Sequence, residues 1–299
     1  MNVKLSNQYH YLAWRFVVVL ALAAAVFSVQ AGGRFDKGLL WKIEPAGAAP
    51  SYLFGTMHSD DPRVVQLPAP VQKAFDRAGS VTLEVELDAQ SLISLATALM
   101  LVDGSTLESL IGRDLYKRTV QVMNAQGIPD ALVANMKPWA VAVTLMTPPN
   151  QSGVVLDQIL YQQAINSGKN VSGLETVAEQ MALFDELPLD VQIALLRDTL
   201  DNLPDIAGML EDLRAAYLDR DLKQLMKINE ASLQDSNPQL AEDFNQKVII
   251  DRNHRMAERM ESRLHEGNYF IAVGALHLPG QEGLLTLLSG QGYRVTRVY

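Results

Sequence analysis

The same short pattern stands near both ends of this chain. The first copy reads Tyr52, Leu53, Phe54 and then Gly55-Thr56-Met57-His58. The second reads Tyr269 to Val273 and then Gly274-Ala275-Leu276-His277. Each is an apolar run of strand length that ends in Gly-x-x-His. A helical pattern follows each copy: Val71, Ala74, Phe75 and Ala78 after Pro70 in the first, with Gly79 where a C-cap belongs, and Leu284, Leu287 and Leu288 before Gly290 in the second. Each copy then closes on a further strand. Val81 to Leu87 alternates strictly between apolar and polar, and Tyr293 to Tyr299 ends the chain. A unit of strand, loop, helix and strand that occurs twice predicts an α/β fold, with a central mixed sheet built from two βαβ-like repeats and helices on its faces.

Between the repeats the pattern is mostly helical. Thr106 to Ala125 reads as one helix ending at Gly127, and Val154 to Ile165 as another closed by Gly168. Thr176 with Glu179 three residues on forms a capping box. Helices near Val191 to Leu200, Ile206 to Leu218 and Leu222 to Leu233 follow, and Lys169 to Leu174 is a short strand that ends at Glu175. No low-complexity linker interrupts the chain. The expectation is one domain over residues 32–299 with a large helical insertion between the repeats.

The N-terminal residues point to export. Lys4 and Arg15 precede the unbroken apolar run from Phe16 to Phe27, and Val29 and Ala31 sit at −3 and −1 of a cleavage site. Residues 1–31 therefore read as a signal peptide, or as an N-terminal anchor if uncleaved. The run is shorter than the roughly 20 apolar residues of a stable span. Membrane contact is expected only through this segment. The whole chain carries −9, and removing Lys4 and Arg15 leaves 23 basic residues against 34 acidic ones. So acidic a surface, without a basic stripe, excludes nucleic acid as a partner. The absence of cysteine excludes disulfides, thiolate ligands and cysteine nucleophiles.

His58 and His277 are the leading functional candidates, because parallel repeats bring both imidazoles to the carboxyl edge of one sheet, where ligands bind. The glycine before each histidine is expected to let the strand turn tightly. Glu84 and Glu86 share one face of their strand, opposite Val81, Leu83, Val85 and Leu87. A wet edge strand would explain them. In a sheet covered on both faces they require a metal, a hydrogen-bond network or the mouth of a cleft. Ile249, Asn253, Met256, Met260 and Leu264 form one helical stripe, apolar except for Asn253, with Arg252 on its flank. A buried Asn253 needs partners, either in a loop backbone or in the site itself. His254, Glu258, Glu261 and His265 form the opposite, solvated face.

Taken in order, five segments resemble the TraB/PrgY/GumN family, which includes the Tiki proteases. They are Gly55 to His58, the Leu83 to Leu87 strand, Gly173-Leu174-Glu175-Thr176, Asp251 to Met256, and Gly274 to Gly280. The likeness runs from about Leu40 to Tyr299. It implies a fold similar to the erythromycin-esterase and ChaN-like group and a metal-dependent hydrolase activity. By that analogy His58 and His277 are metal ligands or catalytic histidines. Glu84 matches the family's strand glutamate, and Glu86 stands where relatives often carry Asp. Glu175, Arg252 and Asn253 match further motif positions.

Two imidazoles and a carboxylate suit Mn, Zn or Co with room left for water. The resulting expectation gives His58, His277 and Glu84 the metal, Glu86 or Glu175 the role of general base, and Arg252 with Asn253 the substrate or the oxyanion. The substrate is a peptide or another small molecule. A protein that binds and sequesters a peptide, a metal or a haem-like ligand without turnover is the alternative that the residues leave open.

Overall fold

The computed structural model describes residues 33–147, 154–233, 242 and 245–299. The segment 1–31 expected to direct export lies outside the described residues. Among those described, no helix is long and apolar enough to cross a membrane.

Six strands form one mixed sheet in the order β4-β3-β5-β2-β1-β6. They are β1 (Leu40–Glu44), β2 (Ser51–Thr56), β3 (Ser80–Val85), β4 (Asn170–Glu175), β5 (Tyr269–Gly274) and β6 (Arg294–Arg297). β4, β3, β5 and β2 run parallel to one another, and β1 is antiparallel to both β2 and β6. The expected mixed sheet is therefore present. β2 and β5, the strands of the two Gly-x-x-His segments, are adjacent, with Gly55 opposite Val273 and Thr56 opposite Gly274. β5 reads as an unbroken apolar run because it is central. Phe270, Ile271, Ala272 and Val273 are all buried, which is what a parallel strand covered on both faces requires.

The helices between the strands are α1 (Pro62–Val65), α2 (Ala69–Arg77), α3 (Ala89–Ala98), α4 (Leu107–Ile111), α5 (Arg113–Ala125), α6 (Asp130–Val133) and α7 (Pro138–Met146). They continue as α8 (Leu156–Asn166), α9 (Val177–Asp185), α10 (Leu189–Asp201), α11 (Leu203–Leu218), α12 (Leu222–Leu233), α13 (Asp251–Glu266) and α14 (Leu284–Gly290). The helix expected over Thr106 to Ala125 is two. Gly112 adopts φ 81°, which ends α4 and restarts the chain as α5. The capping box at Thr176 is formed: Thr176 N–H donates to Glu179 Oε2 at 2.7 Å and Glu179 N–H to Thr176 Oγ1 at 3.2 Å.

Two hydrophobic cores result. One joins the sheet to α2, α8, α13 and α14, where Phe75 and Phe270 meet edge to face at 5.3 Å. The other lies within the inserted helices and centres on Trp139 stacked on Phe184 at 5.4 Å.

The motif glycines serve close approach rather than turning. Neither Gly55 nor Gly274 has a positive φ. A Cβ on Gly55 would stand 3.0 Å from Ala275 Cα and 2.8 Å from Leu278 Cδ1, so its absence lets the second strand end pack against the first. Gly55→Ala is expected to cost about 1–3 kcal/mol by overpacking. Urea unfolding checks this, and an unchanged midpoint would mean that the Ala275 backbone yields freely.

Candidate functional site

Four elements deliver charged or polar side chains to the carboxyl edge of the sheet. β3 presents Glu84 one residue before its end, β4 ends on Glu175, α13 brings Arg252 and Asn253 in its first turn, and the 3-10 turn after β5 carries His277. A π-helical turn, Gln246–Ile250, leads into α13, and the Val248 carbonyl there accepts from Arg252 Nη1 at 3.4 Å. Such widened turns commonly mark functional segments.

Arg252 lies between the two glutamates. Its Nη2 donates to Glu84 Oε2 at 2.8 Å and to Glu175 Oε2 at 2.7 Å, and its Nε also reaches Glu175 Oε2 at 2.9 Å. Arg255 Nη2 donates to Glu175 Oε1 at 2.6 Å, and Gln180 Nε2 bridges both carboxylates at 3.3 and 3.2 Å. Burial would raise both glutamate pKa values, but the guanidinium charges outweigh it and hold both below the usual range. Both oxygens of Glu175, which the sequence suggests as a general base, are occupied by two arginines and a glutamine. Arg252 is fully enclosed, with Nε and Nη2 on the two carboxylates and Nη1 on the Val248 carbonyl.

His277 is held from one side only. Asn253 Nδ2 donates to the Glu282 carbonyl at 2.7 Å, which fixes the amide with Oδ1 turned toward His277 Nδ1 at 2.7 Å. An amide oxygen cannot donate, so Nδ1 carries the ring proton. Burial first, and the Arg252 charge second, push the His277 pKa down to about 4, so the ring is neutral at physiological pH. Its Nε2 is then a bare lone pair. That atom is buried with no hydrogen-bond partner among the described residues, 3.6 Å from Glu84 Oε1. Glu84 Oε1 in turn accepts the Gly274 N–H at 2.5 Å. A Cβ on Gly274 would stand 3.2 Å from that oxygen, so the second motif glycine makes the space in which the carboxylate sits. Asn253 thus meets both expectations made for it, a loop carbonyl and a place in the site, but it orients His277 instead of facing substrate.

His58 stands at the rim with its side chain 63% exposed. Its Nδ1 lies 3.7 Å from Asp157 Oδ2, and Asp157 Oδ1 accepts the Thr56 hydroxyl at 2.9 Å. The Asp157 carboxylate, with a smaller contribution from the Glu84 charge, raises the His58 pKa above its ordinary value. Among the described residues, no three histidine or acidic side chains stand close enough together to hold a metal ion. The expected trio of His58, His277 and Glu84 is therefore not assembled as one ligand set. His277 and Glu84 are paired, and His58 stands apart with Asp157. Glu86 lies just beyond the end of β3 and joins none of these contacts; burial and Asp88 raise its pKa.

Asp157 and Gln180 escaped the sequence reading, and Arg255, inside the Asp251 to Met256 segment, was given no role there. An acidic residue in a first helical turn is expected for the helix dipole alone, which hides Asp157. Gln180 stands one turn beyond Thr176, and Arg255 one turn after Arg252, and that spacing was the available signal.

An imidazole nitrogen and a carboxylate oxygen that share one ion at bonds of about 2.1 Å are separated by about 3.4 Å in tetrahedral geometry. The 3.6 Å gap between the His277 Nε2 lone pair and Glu84 Oε1 fits such an ion.

The TraB/PrgY/gumN family profile matches residues 39–297. Metalloprotease TIKI2 of Danio rerio is 27% identical over 310 residues, which is 86% of this chain and 60% of that protein. Metalloprotease TIKI1 of Homo sapiens is 26% identical over 86% of this chain and 61% of its own length. The uncharacterized protein YbaP of Escherichia coli is 25% identical over 79% of this chain and 87% of its own. The chain thus spans about 60% of the length of the Tiki relatives. No solved structure matches.

Two outcomes follow from the buried charges. Arg252→Met leaves two carboxylates buried beside fewer cations and is expected to cost about 3–5 kcal/mol in urea unfolding at neutral pH. Arg252→Lys should recover only part, since an ammonium lacks the fork. The second outcome is a pH profile. Unfolded His277 titrates near 6.5 and folded His277 near 4, so only the unfolded chain takes up that proton between these values. Its contribution to stability is complete above pH 6.5 and declines as pH falls toward 4. The thermal midpoint of the metal-free protein should drop over that window, and His277→Gln should flatten the drop. An equally steep profile in the variant would assign the loss to other groups.

Proposed function

The chain belongs to the TraB/PrgY/gumN family, and from that premise we infer that it is a metal-dependent hydrolase of peptide-like substrates, working outside the cytoplasm. One observation carries the reading. The buried lone pair of His277 Nε2 faces a carboxylate oxygen at 3.6 Å with no proton between them. Two acceptors so placed repel unless a cation joins them. The relatives named metalloproteases support the same conclusion, and the apolar run Phe16 to Phe27 supports export.

His277 Nε2 and Glu84 Oε1 are the donors that would hold a divalent ion, with Mn, Zn and Co all compatible with one imidazole and one carboxylate. Such an ion would supply Lewis acidity, lowering the pKa of water and polarising a peptide carbonyl. Asn253 keeps His277 in the tautomer that presents Nε2. Arg252, Gln180 and the Gly274 N–H keep Glu84 ionised and aimed. His58, exposed at the rim, is the residue placed to move a proton, taking it from water and returning it to the leaving amine. Glu86 and Glu175 have no part in that transfer.

Substrate has a place to lie. A cleft of about 380 Å³ opens between α3 and α9 and is lined by Gln90, Ile93, Ser94, Thr97, Val177 and Ala178. It begins two residues beyond Glu175. No charged residue occurs between Asp88 and Asp103, and Ile93 is exposed there, so the wall suits an uncharged stretch of peptide.

The test is a metal analysis beside a hydrolysis screen on protein purified without chelator. Wild type is expected to carry about one ion per chain, and His277→Gln and Glu84→Gln to lose it. His58→Gln should keep the ion while kcat on the best peptide or ester substrate falls by about 10²–10⁴. Metal loss in His58→Gln would make that residue a ligand instead. Metal uptake with no hydrolysis of any substrate would overturn the hydrolase and leave a sequestering protein.

A further inference from the structure

The two Gly-x-x-His segments hold their histidines differently, and the difference points to Asp157. Asp157 lies in the first turn of α8, on a strand-helix path unrelated to either motif. Its Oδ1 accepts the Thr56 hydroxyl at 2.9 Å, which leaves Oδ2 as the oxygen that faces His58 Nδ1, 3.7 Å away. Thr56 belongs to the first motif itself, and the corresponding position of the second motif is Ala275, which has no hydroxyl. On the other side of the site, Asn253 Oδ1 faces His277 Nδ1 at the closer distance of 2.7 Å. Both rings are thus approached at Nδ1 by an acceptor from a helix, and neither has a hydrogen-bond partner at Nε2 among the described residues. The helices that supply the acceptors are different ones, α8 and α13.

We propose that Asp157 is the positioning residue of His58: clamped at Oδ1 by Thr56, it draws the Nδ1–H toward Oδ2 and leaves Nε2 as the nitrogen that works on substrate. Closing the 3.7 Å separation to hydrogen-bond length asks for an adjustment of the exposed His58 ring and not for motion of the sheet. Thr56 is buried at the end of β2 and sets the carboxylate, and the carboxylate sets the ring. The raised pKa of His58 is the electrostatic side of the same contact. An acceptor behind a histidine that transfers protons fixes the productive tautomer and steadies the imidazolium that forms, and replacing it with an amide presents the wrong group to the ring. The inference rests on the hydrolase reading only for what Nε2 does, not for which nitrogen carries the proton.

The test separates the two. Ring nitrogen shifts of His58 are recorded by NMR in the metal-free full chain, above its titration, for wild type, Asp157→Asn, Thr56→Val and Thr56→Ser. A free histidine side chain favours the proton on Nε2, so a predominance of Nδ1–H in wild type is a signature of Asp157. The expected result is that Asp157→Asn loses it, Thr56→Val loses part of it, and Thr56→Ser keeps it. Metal content should stay at the wild-type level in all four proteins, because Asp157 touches neither Glu84 nor His277. Where a substrate has been found, kcat in Asp157→Asn should fall on the order of 10²-fold or more with KM little changed. Retention of Nδ1–H in Asp157→Asn, or a wild type already protonated on Nε2, overturns the proposal. Loss of the tautomer in a protein that hydrolyses nothing leaves the positioning role standing and overturns the hydrolase alone.

Discussion

The contact on which the site depends is the buried Arg252 guanidinium, held between Glu84 of β3 and Glu175 of β4. Taking three charges out of water is costly, and attraction in the interior offsets that cost only when the geometry is good and every lone pair is used. Arg255 and Gln180 complete the set, so Glu175 has donors on both oxygens. The result is a nearly neutral cluster with fixed directions. Glu84 has one oxygen committed to Arg252 and the other turned toward Gly274 N–H and His277. Without the arginine, Glu84 would lose the largest of the charges that keep it ionised and would hold its direction through the Gly274 N–H alone on that second oxygen. The register of β3 and β4 places the two carboxylates, and the first turn of α13 places the cation. The sheet and the helix therefore have to be correct together.

Much of the fold was legible in the sequence because its signals are local. Period-two alternation in β3, the capping box at Thr176 and the apolar stripe from Ile249 to Leu264 each depend on residues within one or two turns of each other. The repeat of Gly-x-x-His put β2 and β5 in one sheet, and they are neighbours there. What failed was also local. Gly112 breaks the helix begun at Thr106, since its φ of 81° is open to glycine and strained for other residues. The glycines of the motifs were read as turning residues, whereas they matter for the space a missing side chain leaves. That distinction depends on a neighbouring strand end and is invisible along the chain.

The site was legible as a set of residue types and illegible as a set of roles. Glu84, Glu175, Arg252, Asn253 and His277 all come together, yet Glu175 and Arg252 neutralise each other and Asn253 faces a ring instead of substrate. Strand periodicity placed Glu84 and Glu86 on the same face. The strand ends at Val85, so the pairing stops before the second carboxylate. Asp157 had no motif to mark it. Its partners, Thr56 and His58, are about a hundred residues earlier, and only the packing of α8 against β3 and β4 brings it near them.

The two histidines show how one motif yields two chemistries. His277 is enclosed, neutral and paired with an amide, so its basicity is low and its lone pair is available to a cation. His58 is open to solvent and paired with a carboxylate, so it takes up a proton more readily than a free histidine. Pushing two like groups apart in pKa is the usual way a site divides binding from proton transfer. Here part of the division lies in the Gly-x-x-His segments themselves, since β2 runs on through Thr56 and leaves His58 in a bend, whereas β5 stops at Gly274 and His277 falls in a 3-10 turn. The helices that cover them supply the rest: α13 offers an amide backed by a loop carbonyl and a nearby arginine, and α8 offers an acid clamped by a threonine. The sheet brings both histidines to one edge, and their own turns and the covering helices set them apart.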